Sequence, residues 1–190
     1  MTSNAQAVQT TGSVDLAPGT WVLDKAHTTV GFVARHMMVT KVRGRFEDFD
    51  GAIHIAESPE DSWAEAAIRT ASITTHQEQR DEHLRSSDFL KIEEFPEITF
   101  RSTELERAGE GWKATGDLTI KDVTRPVELA VTFEGTNRNP WGVEVAFFTA
   151  TTDIDREDWG ITWNQALESG GVLVSKKIRL EIEAQAQLQQ

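Results

Sequence analysis

The chain has 190 residues, a formal net charge of -12, six tryptophans, nine phenylalanines, no tyrosine and no cysteine. That length suits one domain with a sizeable core, and the acidity argues against nucleic acid, which is held by clustered Lys and Arg. The same sign gives no electrostatic help on an anionic membrane, so membrane contact is expected to be transient at most.

The absence of cysteine excludes disulfides and thiolate metal sites and fits a reducing compartment. Residues 1–18 carry neither a basic n-region nor an apolar h-region, and no apolar run approaches the roughly 20 residues of a membrane span. A cytoplasmic location is the expectation.

In chain order, residues 1–18 read as a disordered polar extension with too little apolar surface to offset the entropy of ordering. A short strand is predicted at 19–24 and a turn at Asp24-Lys25-Ala26, leading into the run 28–38 around which the rest is organised. There Val30, Phe32, Ala34 and His36 fall on one face, and Thr29, Gly31, Val33 and Arg35 on the other, because side chains alternate along a strand. Gly44 and Gly51 mark a bend and a turn. Alternation resumes at 52–56, residues 57–61 form a loop, and 63–73 is a strand with Ala64, Ala66 and Ile68 opposite Glu65, Ala67 and Arg69. Thr75-His76-Gln77-Glu78 fits a capping box. A short helix to about Arg85 should follow and, with Leu84 as its one strong apolar residue, lie over a rim.

Phe95-Pro96 must be extended. Beyond it, strands are predicted around Ile98 and Phe100, over 112–120, over 127–133, and over 143–150, the last apolar on both sides. A loop at 153–171 precedes a final strand in which Val174, Ile178, Leu180 and Ile182 alternate with polar residues. The domain is thus read as 19–184, followed by a polar tail at 185–190. Roughly eight strands and one helix make an all-β chain, and regular neighbouring hairpins favour an antiparallel barrel over a sandwich. The oily face of the organising strand would then form one wall around a greasy ligand.

Several side chains invite chemistry. His76 and His83, seven apart, share a face if one helix includes both, but no HExxH accompanies them and a divalent site wants a third ligand. They are read as surface or rim histidines. His36 either bonds a ligand oxygen at one end of a cavity or is a core histidine satisfied by backbone. Arg80, His83 and Arg85 form a cationic rim for a phosphate or a merely solvated face. The loop stretch Trp159-Gly160-Ile161-Thr162-Trp163-Asn164 is a lid, an inner plug or a loop anchor. No GxSxG, glycine-rich phosphate loop or dinucleotide fingerprint appears, and Asp153, Asp155 and Asp158 read as turn formers.

Seven stretches in order resemble a known family: Trp21-x-Leu23-Asp24-x-x-His27-Thr28-x-Val30-x-Phe32; Arg35-His36; Gly44-x-Phe46-x-x-Phe49-x-Gly51; His83-Leu84-x-Ser86-x-Asp88-Phe89; Phe95-Pro96-x-Ile98-x-Phe100; Gly116-x-Leu118-Thr119-Ile120-x-x-Val123-Thr124-x-Pro126-Val127; and Arg156-x-Asp158-Trp159-Gly160. Together, over about residues 19–184, they are similar to the YceI-like, polyisoprenoid-binding family. The chain departs from that pattern at Ser175-Lys176-Lys177, where an acidic residue is expected. The resemblance implies an extended lipocalin-like, eight-stranded antiparallel barrel with a short helix at the rim. It also implies a long cavity for an isoprenoid chain, such as a polyprenyl phosphate or a quinone tail, and no established catalysis, cofactor or metal. The expected tail contacts are Phe32, Phe46, Phe89, Phe100, Leu118 and Trp163. His36 and His83 lie nearest the head, and Arg35 and Asn164 complete the candidate set. The expected partner is an isoprenoid lipid or quinone, with a homodimer left open. The alternatives are a lipocalin-like, His-assisted enzyme acting on a small hydrophobic substrate, and a stress-related interaction protein.

Overall fold

A computed structural model describes residues 16–189 of the chain. The alternating stretches form eleven strand segments: β1 (Gly19–Leu23), β2 (Thr29–His36), β3 (Thr40–Phe46), β4 (Phe49–Ile55), β5 (Trp63–Arg69), β6 (Ile73–Thr74), β7 (Glu97–Ala108), β8 (Gly111–Ile120), β9 (Val123–Arg138), β10 (Glu144–Asp155) and β11 (Lys177–Leu188). The α-helix is α1, Glu78–Arg85. Every strand pairing is antiparallel.

The register reduces eleven segments to eight long strands. β1 and β2 both lie along β11 and run the same way, so they are one strand interrupted at residues 24–28. β3 and β4 pair with β2 and β1 and are one strand broken at Glu47 and Asp48. β5 and β6 pair with β4 and β3 and are broken by the 3-10 turn Thr70–Ser72. Each long strand bonds to the next, and β11 returns to β1 and β2, closing the barrel. Closure removes the free sheet edges at which chains aggregate.

The three breaks lie side by side and are tied by polar contacts. Lys25 Nζ is 2.9 Å from Asp50, whose other oxygen is 2.8 Å from Arg69 Nη2. The Ser72 hydroxyl donates to the Arg69 carbonyl at 2.7 Å, and the Glu47 amide donates to Ser72. Backbone groups freed from the ladder therefore still find partners, as they must when half-buried.

Four sequence expectations change. The strand predicted over 63–73 is split by the 3-10 turn, and the last strand runs to Leu188 rather than ending at 184. Residues 186–188 pair with β1 to close the barrel, placing Ala184 and Ala186 among the buried residues. The helix is capped by Gln77, whose side chain accepts from the Arg80 amide, and not by Thr75. Thr75 is buried and gives its hydroxyl and amide to Asp81. His76 consequently sits outside the helix at φ 58°, so the shared His76–His83 face does not exist. Of the predicted N-terminal extension, residues 1–15 lie outside the described residues; Leu16 is buried beside Trp21, Ala146 and Ala186.

Two groups of packed residues mark the barrel's ends. At the end carrying α1, Phe49, Ile68, Phe89, Leu90, Ile98, Leu118, Trp159 and Ile161 pack together. At the other end the fully buried Trp21 is held by an indole bond to the Ala17 carbonyl at 3.0 Å. A buried indole N–H needs such an acceptor.

Candidate functional site

Between these groups the barrel is hollow. A cavity of about 680 Å³ runs its length, within the roughly 300–1,000 Å³ range of small-molecule sites. Its wall takes Val30 and Phe32 from β2, Phe46 from β3, Ala64, Ala66 and Ile68 from β5, Phe100 and Leu105 from β7, and Ala114 and Leu118 from β8. Phe133, Phe148, Leu180 and Ile182 supply the opposite side. Period-two alternation put these residues on the inner face; what keeps them from filling it is glycine. A Cβ on Gly44 would lie 2.2 Å from the Phe32 ring, and one on Gly116 would lie 2.5 Å from the Phe100 ring. Each ring is therefore laid against the wall in the space a neighbouring side chain would occupy, which leaves the axis clear.

The two ends differ. At one, the lining consists of Leu84, Phe89, Leu90, Arg156, Ile161 and Val174, none of them exposed. At the other it consists of Leu16, Pro18, Ala56, Glu57 and Pro59. Among the described residues, Pro18 and Glu57 are the exposed members of the wall, so this second end is the mouth and the first is blind. Two inner hydroxyls each take one backbone amide: Ser102 Oγ accepts from the Ala64 amide at 2.8 Å and Ser62 Oγ from the Ala56 amide at 3.0 Å.

Phe32, Phe46, Phe89, Phe100 and Leu118 all line the cavity. The other five candidates stand outside it at the blind end. Trp163 packs behind Phe89, ring centroids 5.4 Å apart, and against His83 at 4.6 Å. His83 directs Nε2 to Asp88 at 2.8 Å. Asn164 clamps the loop, donating from Nδ2 to the Val174 carbonyl at 2.8 Å and accepting from the Val174 amide at 3.1 Å. Arg35 is exposed and donates to the Val39 carbonyl. His36 is exposed too, being neither a core residue nor part of the wall; the inward face of β2 ends at Ala34. The supposed cationic rim is spent on structure. Arg80 bonds Thr75, and Arg85 bonds the Ala71 and Ile73 carbonyls. Among the described residues no group of three or more His, Asp or Glu is placed to hold a metal ion.

Arg156 belongs to the last of the seven motifs but not to the candidate set drawn from the sequence. It is 4% exposed, borders the blind end, and donates Nε to Ser175 O at 2.9 Å, Nη1 to Ile161 O at 2.7 Å and Nη2 to Val174 O at 3.4 Å. Burial pushes its pKa down, while Glu157 and Asp155 push it back up. Ile154 is the last inward residue of β10, and Arg156, two residues on, opens the 3-10 turn Arg156–Trp159 that follows the strand. Trp159 anchors the same loop through its indole, which donates to Leu118 O at 3.1 Å.

Comparison with known proteins agrees with this geometry. A family model described as YceI-like domain matches residues 21–186. UPF0312 proteins of Staphylococcus aureus are 39% identical over 167 residues, covering 87% of this chain and 95% of theirs. Among solved structures, a Campylobacter jejuni YceI protein is 30% identical with a TM-score of 0.70, covering 88% of this chain and 97% of that one. Burkholderia cenocepacia BcnA shares the fold at 21% identity and TM-score 0.73, covering 86% and 98%. A Saccharophagus degradans domain described as polyisoprenoid binding shares it at 14% identity and TM-score 0.65, covering 89% and 98%. On its sequence and its closed eight-stranded barrel, the chain belongs to the YceI-like family.

Proposed function

We propose that this protein binds an isoprenoid lipid, a polyprenyl phosphate or isoprenoid quinone, along the barrel axis and carries or stores it. The observation that carries the reading is the continuous apolar cavity from mouth to blind end. Burying apolar carbon gains about 0.8 kcal/mol per methylene, so a tail of several isoprene units offsets the cost of immobilising it. The description of the Saccharophagus degradans domain as polyisoprenoid binding supports the same class of ligand. The family and this neighbour favour binding over catalysis. Among the described residues no histidine borders the cavity, which removes the support for a His-assisted enzyme.

A cargo of this kind exchanges with membranes, so transient membrane contact belongs to the proposal, as does a cytoplasmic location. Among the described residues no helix is long and apolar enough to cross a membrane.

The test is to extract the purified protein with organic solvent, weigh the extract by mass spectrometry, and offer the emptied protein polyprenol and quinone. Recovery of an isoprenoid, or its stoichiometric uptake, is expected. An empty extract from several hosts with no uptake would overturn the proposal.

A further inference from the structure

We propose that Arg156 binds an anionic head group at the blind end, so that the cargo lies head-inward with its tail towards the mouth. The inference rests on the lipid-binding reading above and adds to it the charge and the orientation of the ligand.

A guanidinium carries five N–H donors, and Arg156 commits three of them, all to backbone carbonyls. Carbonyls satisfy hydrogen bonds but do not neutralise charge. Among the described residues no carboxylate lies within 4.0 Å of this guanidinium. The neighbouring acids face elsewhere: Glu157 pairs with Lys176 at 2.8 Å, and Asp155 accepts from the Glu157 amide at 2.9 Å. The surroundings are apolar, with Ile161 and Val174 in the wall and the Phe89 ring centroid 5.9 Å from the guanidinium carbon. A buried cation with no carboxylate in direct contact, offset only at longer range by Glu157 and Asp155, is costly, and an oxyanion delivered by a ligand lowers that cost. Clamping three carbonyls explains donors at this position but not a permanent charge.

The mouth points the same way. Its charged lining residue is Glu57, which repels an anion. Arg156 and Glu57 are the charged members of the wall among the described residues, one at each end. Both place a negative head deep and leave the hydrocarbon in the wide middle and at the mouth. The ligand class is therefore a long hydrocarbon ending in an oxyanion, such as an isoprenyl phosphate, in preference to a neutral prenol.

Geranylgeranyl phosphate and geranylgeraniol share a tail and differ in the head. Titrated into the delipidated protein, the phosphate should bind at least tenfold more tightly than the alcohol. Arg156→Met should abolish that preference while leaving alcohol affinity within about twofold, and Arg156→Lys should restore part of it. The bound phosphorus resonance should also be shielded from a paramagnetic agent in solvent. Equal affinity of the wild type for both ligands, a preference that survives in Arg156→Met, or a phosphorus signal relaxed as if at the mouth would each overturn the inference. If Arg156→Met fails to fold, the wild-type comparison and the phosphorus measurement decide. Binding of neither ligand would instead refute the lipid-binding proposal itself, and this inference with it.

Discussion

Asp81 fixes the helix to the barrel. Burial alone would raise its carboxyl pKa, but the Thr75 hydroxyl and amide and the Thr74 hydroxyl donate to it and hold it below the usual range. A carboxylate depressed in the folded state stabilises fully above its unfolded pKa of about 3.9 and loses that contribution as pH falls through the lower folded value. Asp81→Asn should destabilise the protein by about 2 kcal/mol, the scale of a buried charge-assisted network losing its acceptor. In urea melts the gap between mutant and wild type should be constant near neutrality and close below about pH 4. A gap unchanged into strong acid would refute the assignment. Gly44 makes a different kind of statement. Gly44→Ala puts a methyl where the Phe32 ring lies and should drive that ring towards the axis, lowering prenol affinity several-fold by calorimetry; unchanged affinity would refute this role for the glycine. At this scale alternation made the apolar wall legible, since Phe32, Phe46, Phe100 and Leu118 follow directly from period two. Thr75 misled because a capping box would use its hydroxyl oxygen as an acceptor and its amide as a donor to Glu78, whereas both groups donate to the Asp81 carboxylate, and the charged acceptor wins.

At the level of elements, the least legible feature was the pairing of broken strands. Each break reads locally as a strand end, and the continuity is visible only in the register across β11, β2 and β3. The end of β11 was hidden for a related reason. Gln185 and Gln187 look like a polar tail, and the small inward Ala184 and Ala186 give little hydrophobic signal, although Ala186 pairs with Leu23 to close the wall. Truncation after Ala184 should therefore cost several kcal/mol or abolish folding, measured by thermal melts, whereas loss of a mere tail would leave the midpoint unchanged. The β2–β3 hairpin closes through Met37 and Met38 at φ 51° and 64°, a tight turn whose twist matches its strands.

For the whole molecule, composition and patterning foretold a closed all-β barrel, and the seven motifs foretold its family. Neither could reveal which end is blind. That depends on how residues 156–176 fold back over the barrel and on where Leu16 and Pro18 lie, contacts between segments far apart in sequence. The central claim is that the interior is a channel whose affinity comes from tail length. It is tested most directly by calorimetric titration of the delipidated protein with all-trans prenols of increasing length. Each added isoprene unit should strengthen binding, up to a ceiling of about 4 kcal/mol per unit for five buried carbons, until the tail outgrows the cavity and affinity levels off. Affinity that does not change with chain length would contradict the account.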